Sequence, residues 1–291
     1  MVHWTQAPMN TLTREPVLLL EQDLECGQRH LLAGGEAVAY STPRPGREGP
    51  NEDAAALIPV NGNAYVLAVA DGLGGAPAGA TASGVAVQAL RDTLASYQGD
   101  ESGELRAAIL DGFERASAAV QALGVGADTT LVAVAVEAGT VRTVHVGDSA
   151  VMVVGQRGKV KLQTMSHSPV GYAVEAGLLD EQEAMHHADR HFVTNTVGST
   201  EMRIEVGPQL ALAPRDTLVV GSDGLFDNLY PDEIVERIRK GSLERAAERL
   251  ARGSLARMRS ESVEVPSKAD DLTFILYRRV VPRHAASSSR G

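Results

Sequence analysis

The feature of this chain that most constrains its fold is where its aspartates fall. Asp53 directly precedes the apolar run Ala54–Val60, and Asp71 directly follows Ala64–Ala70. Asp148 lies two residues after Val144–Val146, Asp223 two after Leu218–Gly221, and Asp270 and Asp271 immediately precede Leu272–Tyr277. Asp is depleted within strands and costly to bury unpaired. Acids at so many strand ends therefore suggest convergence on one side of a pair of sheets. Converging carboxylates repel one another unless cations sit among them. Hard divalent ions such as Mg²⁺ or Mn²⁺ prefer oxygen ligands and suit that arrangement. A local reading stands beside this one, because Asp71-Gly72 and Asp223-Gly224 are also common turn pairs.

The rest of the pattern predicts an α+β domain. Apolar runs at 54–60, 64–70, 129–136, 141–146, 150–154 and 159–163 read as paired strands broken at glycines. Val87, Leu90 and Leu94 fall at helical spacing, as do Leu105, Ile109, Phe113, Ala116, Val120 and Leu123 before Gly124. Pro231, followed by Asp232 and Glu233, opens a further helix, and Leu243 to Met258 carries another. Strands, helices, strands, helices and a last strand follow without regular alternation, which favours antiparallel sheets. Residues 165–190 differ, with two short helical pieces in polar surroundings. The expected organisation is an N-terminal segment 1–30, a domain 31–281 with an excursion at about 165–190, and a disordered tail 282–291.

With 291 residues, 44% of them hydrophobic, the chain can bury a large core, but at 4% aromatic that core must be Val, Leu and Ala. A formal charge of −10 excludes the basic stripe of a nucleic-acid binder. One cysteine, Cys26, permits no internal disulfide and fits a reducing compartment. No run approaches the length of a membrane span, and Met1–Asn10 shows no secretory pattern. A cytoplasmic protein is the expectation.

Six motifs then resemble, in order, those of the PP2C (PPM) family of metal-dependent protein phosphatases. They are Asn51-Glu52-Asp53; Asp71-Gly72-Leu73-Gly74-Gly75 with Gly79 and Ala82-Ser83; Thr129-Thr130-Leu131; Gly147-Asp148-Ser149; Ser222-Asp223-Gly224-Leu225-Phe226-Asp227; and Asp270-Asp271-Leu272-Thr273. The stretches His167-Ser168 to Gly177 and Arg190 to Gly198 resemble the flap segment, and the likeness runs from about residue 30 to 280. The resemblance implies an antiparallel β-sandwich flanked by helices on both sides (α-β-β-α) and a site for two Mn²⁺ or Mg²⁺ ions. Asp53, Asp71, Asp223 and Asp270 would be the ligating carboxylates, joined by the Gly72 carbonyl. Asp148 would hold a third, weaker ion with Asp223, and Glu52 would act through water. The implied reaction is hydrolysis of phosphoserine or phosphothreonine on proteins by a hydroxide shared between the two cations. The implied setting is a bacterial, monomeric enzyme opposing a Ser/Thr kinase.

The chain departs from the family pattern mainly on the phosphate side. The arginine expected to bind phosphate usually lies three residues before the Asn in bacterial members. Here Arg47 lies four before Asn51, with Arg44 as the other candidate. Leu73 stands where animal members have a His proposed as general acid, Ala150 where Arg is common, Ser166 where Asp is common, and Asp271 where Asn is frequent. Two other functions compete with this reading. Gly72–Gly79 between a strand and a helix suggests a dinucleotide loop, but Pro77 breaks the glycine pattern and Asp92 falls inside a helix. A catalytically weak PP2C-like scaffold that binds phosphoproteins or a partner is the nearer alternative. His187 and His191, with His186, have a spacing that would place two of them on one helix face as a zinc site.

Overall fold

In the computed structural model the described residues are 11–60, 64–75, 78–97, 99, 102–260 and 265–280. The expected turn at 61–63, the segment Met1–Asn10 and the tail 282–291 lie outside them. The elements in chain order are β1 (Val17–Leu20), β2 (Gln28–Leu32), β3 (Gly35–Thr42), β4 (Asp53–Val60), β5 (Ala64–Leu73), α1 (Ala78–Ala95) and α2 (Ser102–Gln121). Next come β6 (Asp128–Thr129), β7 (Leu131–Glu137), β8 (Thr140–Val146), β9 (Ala150–Val154), β10 (Val160–Gln163), α3 (Pro169–Glu175) and α4 (Glu181–His186). The chain finishes with β11 (Glu205–Val206), β12 (Leu210–Ala211), β13 (Thr217–Gly221), α5 (Asp223–Phe226), α6 (Pro231–Ile238), α7 (Leu243–Met258) and β14 (Leu272–Arg279).

Two antiparallel sheets form. One runs β1-β4-β5-β7-β8-β11, with β12 also on β8 and β6 on β5; the other runs β10-β9-β13-β14-β3-β2. The segment before residue 31 supplies β1, which pairs with β4, and most of β2, which pairs with β3. Side chains alternate across each strand, and both faces of each sheet are covered, so the strands read as continuous apolar runs. In β5, Val66, Ala68 and Ala70 pack toward α1 and α2, while Tyr65, Leu67 and Val69 enter the space between the sheets. In β14, Ile275 and Tyr277 face that same space, and Leu272, Phe274 and Leu276 pack on α6 and α7. The outcome is the expected α-β-β-α stack with three apolar layers. α3 and α4 lie within the polar segment 165–190 and belong to neither sheet's helical layer. No helix among the described residues is long and apolar enough to cross a membrane.

Candidate metal centre

Strand register alone carries the aspartates to one end of the sandwich. Asp53 and Asp71 are directly opposed partners of β4 and β5. In the second sheet Gly221 pairs with both Ala150 and Phe274. Asp148, two residues before Ala150, Asp223, two after Gly221, and Asp270–Asp271, just before β14, therefore leave that sheet at the same end. Asp53, Asp71, Asp148 and Asp223 are all buried, and Asp270 is partly so.

Asp71 and Asp53 are braced by residues of other motifs. The Asp71 backbone N–H donates to Thr130 Oγ1 (2.9 Å), and its carbonyl accepts from Thr129 Oγ1 (2.8 Å) and Thr130 N–H (2.8 Å). Ser149 Oγ closes that network on Thr130 at 2.6 Å. Asp53 Oδ2 accepts from Ser222 Oγ at 2.8 Å, which links the first sheet to the second. Gly72 has no room for a side chain, because a Cβ would strike the Gly79 backbone at the start of α1. That close approach explains Gly72 and Gly79, while Gly74 and Gly75 take positive φ.

Electrostatics confirm the crowding. Burial first, then neighbouring acids, push the carboxyls of Asp53, Asp71 and Asp148 well above the usual range. The neighbours acting on Asp71 are Asp223, Asp53, Asp270 and Asp148, the other members of the set. Asp270 is raised to about 6 and Asp227 to about 7, each by burial and then by Asp223. Four buried acid oxygens in this group have no hydrogen-bond partner: Asp53 Oδ1, Asp148 Oδ1, Asp223 Oδ1 and Asp227 Oδ2. Glu52 Oε1 beside them is in the same condition. Unpaired buried charge is expensive, and an all-oxygen donor set of this kind fits hard divalent cations.

The arginine expected to meet phosphate is equally well held. Arg47 pairs with Glu52 Oε2 at 2.6 Å and with Asp271 Oδ2 at 2.9 Å. Asp271 also accepts from the Arg44 N–H (2.8 Å) and the Glu52 N–H (2.6 Å), so it pins the whole 44–52 loop to the start of β14. Here the acid that replaces the family's frequent Asn acquires a purpose as counter-charge to Arg47. An arginine has five N–H donors, so the two carboxylates leave donors free for a phosphate. Arg47 lines a cleft of about 520 Å³ with Arg44, Glu52, Gly75 and Ala269, next to the carboxylates. A second cavity of about 340 Å³ opens on the other flank, between the excursion and the body. Val170, Met185, Arg190 and Ile234 line it, together with Asp148, Asp223 and Asp227.

Some features were not read from the sequence. Lys268 sits among the acids, with Nζ on Asp223 Oδ2, 3.0 Å from Asp270 Oδ2 and 3.6 Å from Asp227 Oδ2. A lysine in a polar loop has no sequence signature for such a place, because lysines in loops normally stay in water. Asp227 was visible as part of a motif but carried no role. His145, His167 and Glu205 bring donor atoms within 4.8 Å of one another. His167 Nε2 meets Glu205 Oε2 (3.1 Å), its Nδ1 accepts from Gly147 N–H (3.1 Å), and His145 Nε2 meets the Met165 carbonyl (2.9 Å). The trio thus braces the turn that carries Asp148. The zinc idea for His187 and His191 meets a structural obstacle: α4 ends at His186, and His187 is its extended C-cap, so no helix face joins the two. His186 instead meets the Tyr230 hydroxyl at 2.9 Å.

Comparison with known proteins agrees with this geometry. The family described as Protein phosphatase 2C matches residues 45–259. The serine/threonine phosphatase stp of Listeria welshimeri is 31% identical over 65% of this chain and 77% of its own length. PstP of Mycobacterium tuberculosis, a serine/threonine protein phosphatase, is 30% identical over 69% of this chain and 38% of its own. Among solved structures, the serine/threonine phosphatase of S. agalactiae superposes with a TM-score of 0.73 at 27% identity, covering 84% of this chain and all of that one. The catalytic domain of PstP in complex with two manganese ions gives a TM-score of 0.65 at 25% identity, covering 84% of this chain and 98% of that one.

Proposed function

Since the chain belongs to the protein phosphatase 2C family, we propose that it removes phosphate from serine and threonine of proteins with the help of Mn²⁺ or Mg²⁺. One observation carries the reading furthest. Acids from both sheets meet at one end of the sandwich and leave four buried carboxylate oxygens without a hydrogen-bond partner, beside an arginine held at the edge of a cleft. Asp53, Asp71, Asp223 and Asp270, with the Gly72 carbonyl, would hold two ions, and Asp148 with Asp223 a third. Such ions, when bound, acidify water and offset charge on a phosphoryl group. Glu52 stands at the junction, with Oε2 on Arg47 and Oε1 buried without a hydrogen-bond partner. It is placed to orient both the guanidinium and a water.

Arg47 would receive the phosphoryl oxygens, held in position by Glu52 and Asp271. Fixing the guanidinium before substrate arrives lowers the reorganisation needed for phosphate recognition. Leu73 has no proton to give, so the leaving serine or threonine oxygen would be protonated from solvent in the cleft. No cysteine nucleophile is called for, and Cys26 stays outside the scheme. The expected substrates are targets of a Ser/Thr kinase. The setting proposed is a monomer in the cytoplasm, a reducing compartment that the single free cysteine suits.

The test is hydrolysis of a phosphothreonine peptide. Mn²⁺ should support turnover and EDTA should abolish it. Asp71→Asn should lower kcat by about a hundredfold, at or beyond the upper end for outer partners of a metal site. Activity that persists both in EDTA and in Asp71→Asn would sink the metal mechanism. A protein that binds Mn²⁺ yet hydrolyses no phosphopeptide would instead be the phosphoprotein-binding scaffold.

A further inference from the structure

Lys268 is the feature of the metal centre that the proposed function does not use. Its ammonium faces three carboxylates, those of Asp223, Asp227 and Asp270. Two of these, Asp223 and Asp270, belong to the set proposed to hold the two central ions. The ammonium hydrogen-bonds Asp223 and forms ion pairs with Asp270 and, at longer range, Asp227. The side chain is only 20% exposed.

The placement is built into the backbone. Asn228, fully buried, accepts from the Lys268 N–H through its Oδ1 (2.9 Å) and donates from Nδ2 to the Lys268 carbonyl (2.9 Å). The same Nδ2 also donates to the Gly224 carbonyl at 3.0 Å, so the clamp ties Lys268 to the helix that begins with Asp223. On the other side the Ser267 carbonyl accepts from Arg190 (2.8 Å), and Ser267 Oγ donates to the Arg257 carbonyl (2.8 Å).

We infer that Lys268 is a tethered cation that occupies the Asp223–Asp227–Asp270 side of the carboxylate cluster and competes there with a divalent ion. The inference rests on the metal reading of the site. A divalent ion drawn to those oxygens must displace the ammonium, since the two positive charges repel at such range. Among the described residues no lysine or arginine forms an ion pair with Asp53 or Asp71. The chain therefore has one strong and one weakened region for cations, and the weakened one fills only as the Lys268 side chain swings out. Lys268 thereby sets the Mn²⁺ concentration at which the centre is complete.

Calorimetric titration of the metal-stripped full chain with Mn²⁺ tests this. Lys268→Met should bind its weakest Mn²⁺ about tenfold more tightly than wild type, or more, and Lys268→Arg should keep the wild-type affinity. Lys268→Gln, which keeps a polar end without the charge, serves if the Met variant fails to fold by circular dichroism. Isotherms that coincide for wild type and the neutral variant, in a protein whose phosphatase activity still needs Mn²⁺, would overturn the tethered-cation role alone. Failure of every variant to take up Mn²⁺ would overturn the metal reading with it.

Discussion

A missing methyl group decides where Asp223 can sit. A Cβ on Gly224 would collide with the main-chain carbonyl oxygen of Asp271, immediately before β14. The helix bearing Asp223 therefore lies directly on the residues bearing Asp270 and Asp271, and only glycine permits the contact. Gly224→Ala must force backbone apart, and overpacking of a close interior typically costs 1–3 kcal/mol. We expect a loss of about 3 kcal/mol, the top of that range because the obstacle is main chain. Urea unfolding would measure it, and an unchanged midpoint would show that the two segments can separate freely. At this scale the sequence was a good guide to the acids and a poor one to their partners. Asp53, Asp71, Asp148, Asp223 and Asp270 stand out because acids at strand ends break an apolar pattern. Lys268 and Asn228 break no pattern, and their roles depend on contacts 40–45 residues away in the chain.

Among the elements, alternation and register explain most of what could be anticipated. Once β4 and β5 pair tightly, Asp53 must oppose Asp71, and once β9, β13 and β14 pair, three further acids must share an end. The strands β2 and β3 were harder to see. Gln28 and Arg29 of β2 are exposed on a sheet edge, and β3 alternates Glu36 among Ala37, Val38 and Ala39 before the loop-rich stretch at 43–52. Edge strands carry a weaker apolar signal than central ones. The excursion was legible by its polarity, but its attachment was not. Arg190 bonds the carbonyls of Met185 and Ser267, so one guanidinium fastens α4 to the body, with help from His186 on Tyr230. Val170 and Met185 are the buried apolar anchors of these two helices. An element held by so few contacts opens locally before the domain unfolds. Arg190→Ala should therefore speed proteolysis between α3 and α4, around the exposed Leu178, by about tenfold, and should shift global unfolding by about 1 kcal/mol or less. Equal cleavage rates in the two proteins would show that the apolar anchors alone hold the excursion.

For the molecule as a whole, the metal centre is also the seam of the sandwich. Asp53 and Asp71 belong to one sheet, Asp223 and Asp270 flank strands of the other, and the Ser222–Asp53 hydrogen bond spans the gap. Without cations the seam is strained by its own charge, which is why burial and mutual repulsion push these carboxyls up. Cations and the loss of a charge should each relieve that strain. Mn²⁺ binds only the folded arrangement and should stabilise it by about 2.7 kcal/mol at a hundredfold excess over Kd, raising Tm by about 5 °C or more. Asp53→Asn removes one of the repelling charges while keeping an oxygen for Ser222 Oγ. In the metal-free state that variant should melt above wild type; with Mn²⁺ it should gain less than wild type does. Differential scanning fluorimetry on both proteins, with EDTA and with Mn²⁺, reads all four states. A metal-free variant that melts below wild type would mean that the Asp53 carboxylate contributes more as a hydrogen-bonded strut than it costs as a crowded charge. The seam would then be held by ordinary bonding, with cations adding to it and not relieving it.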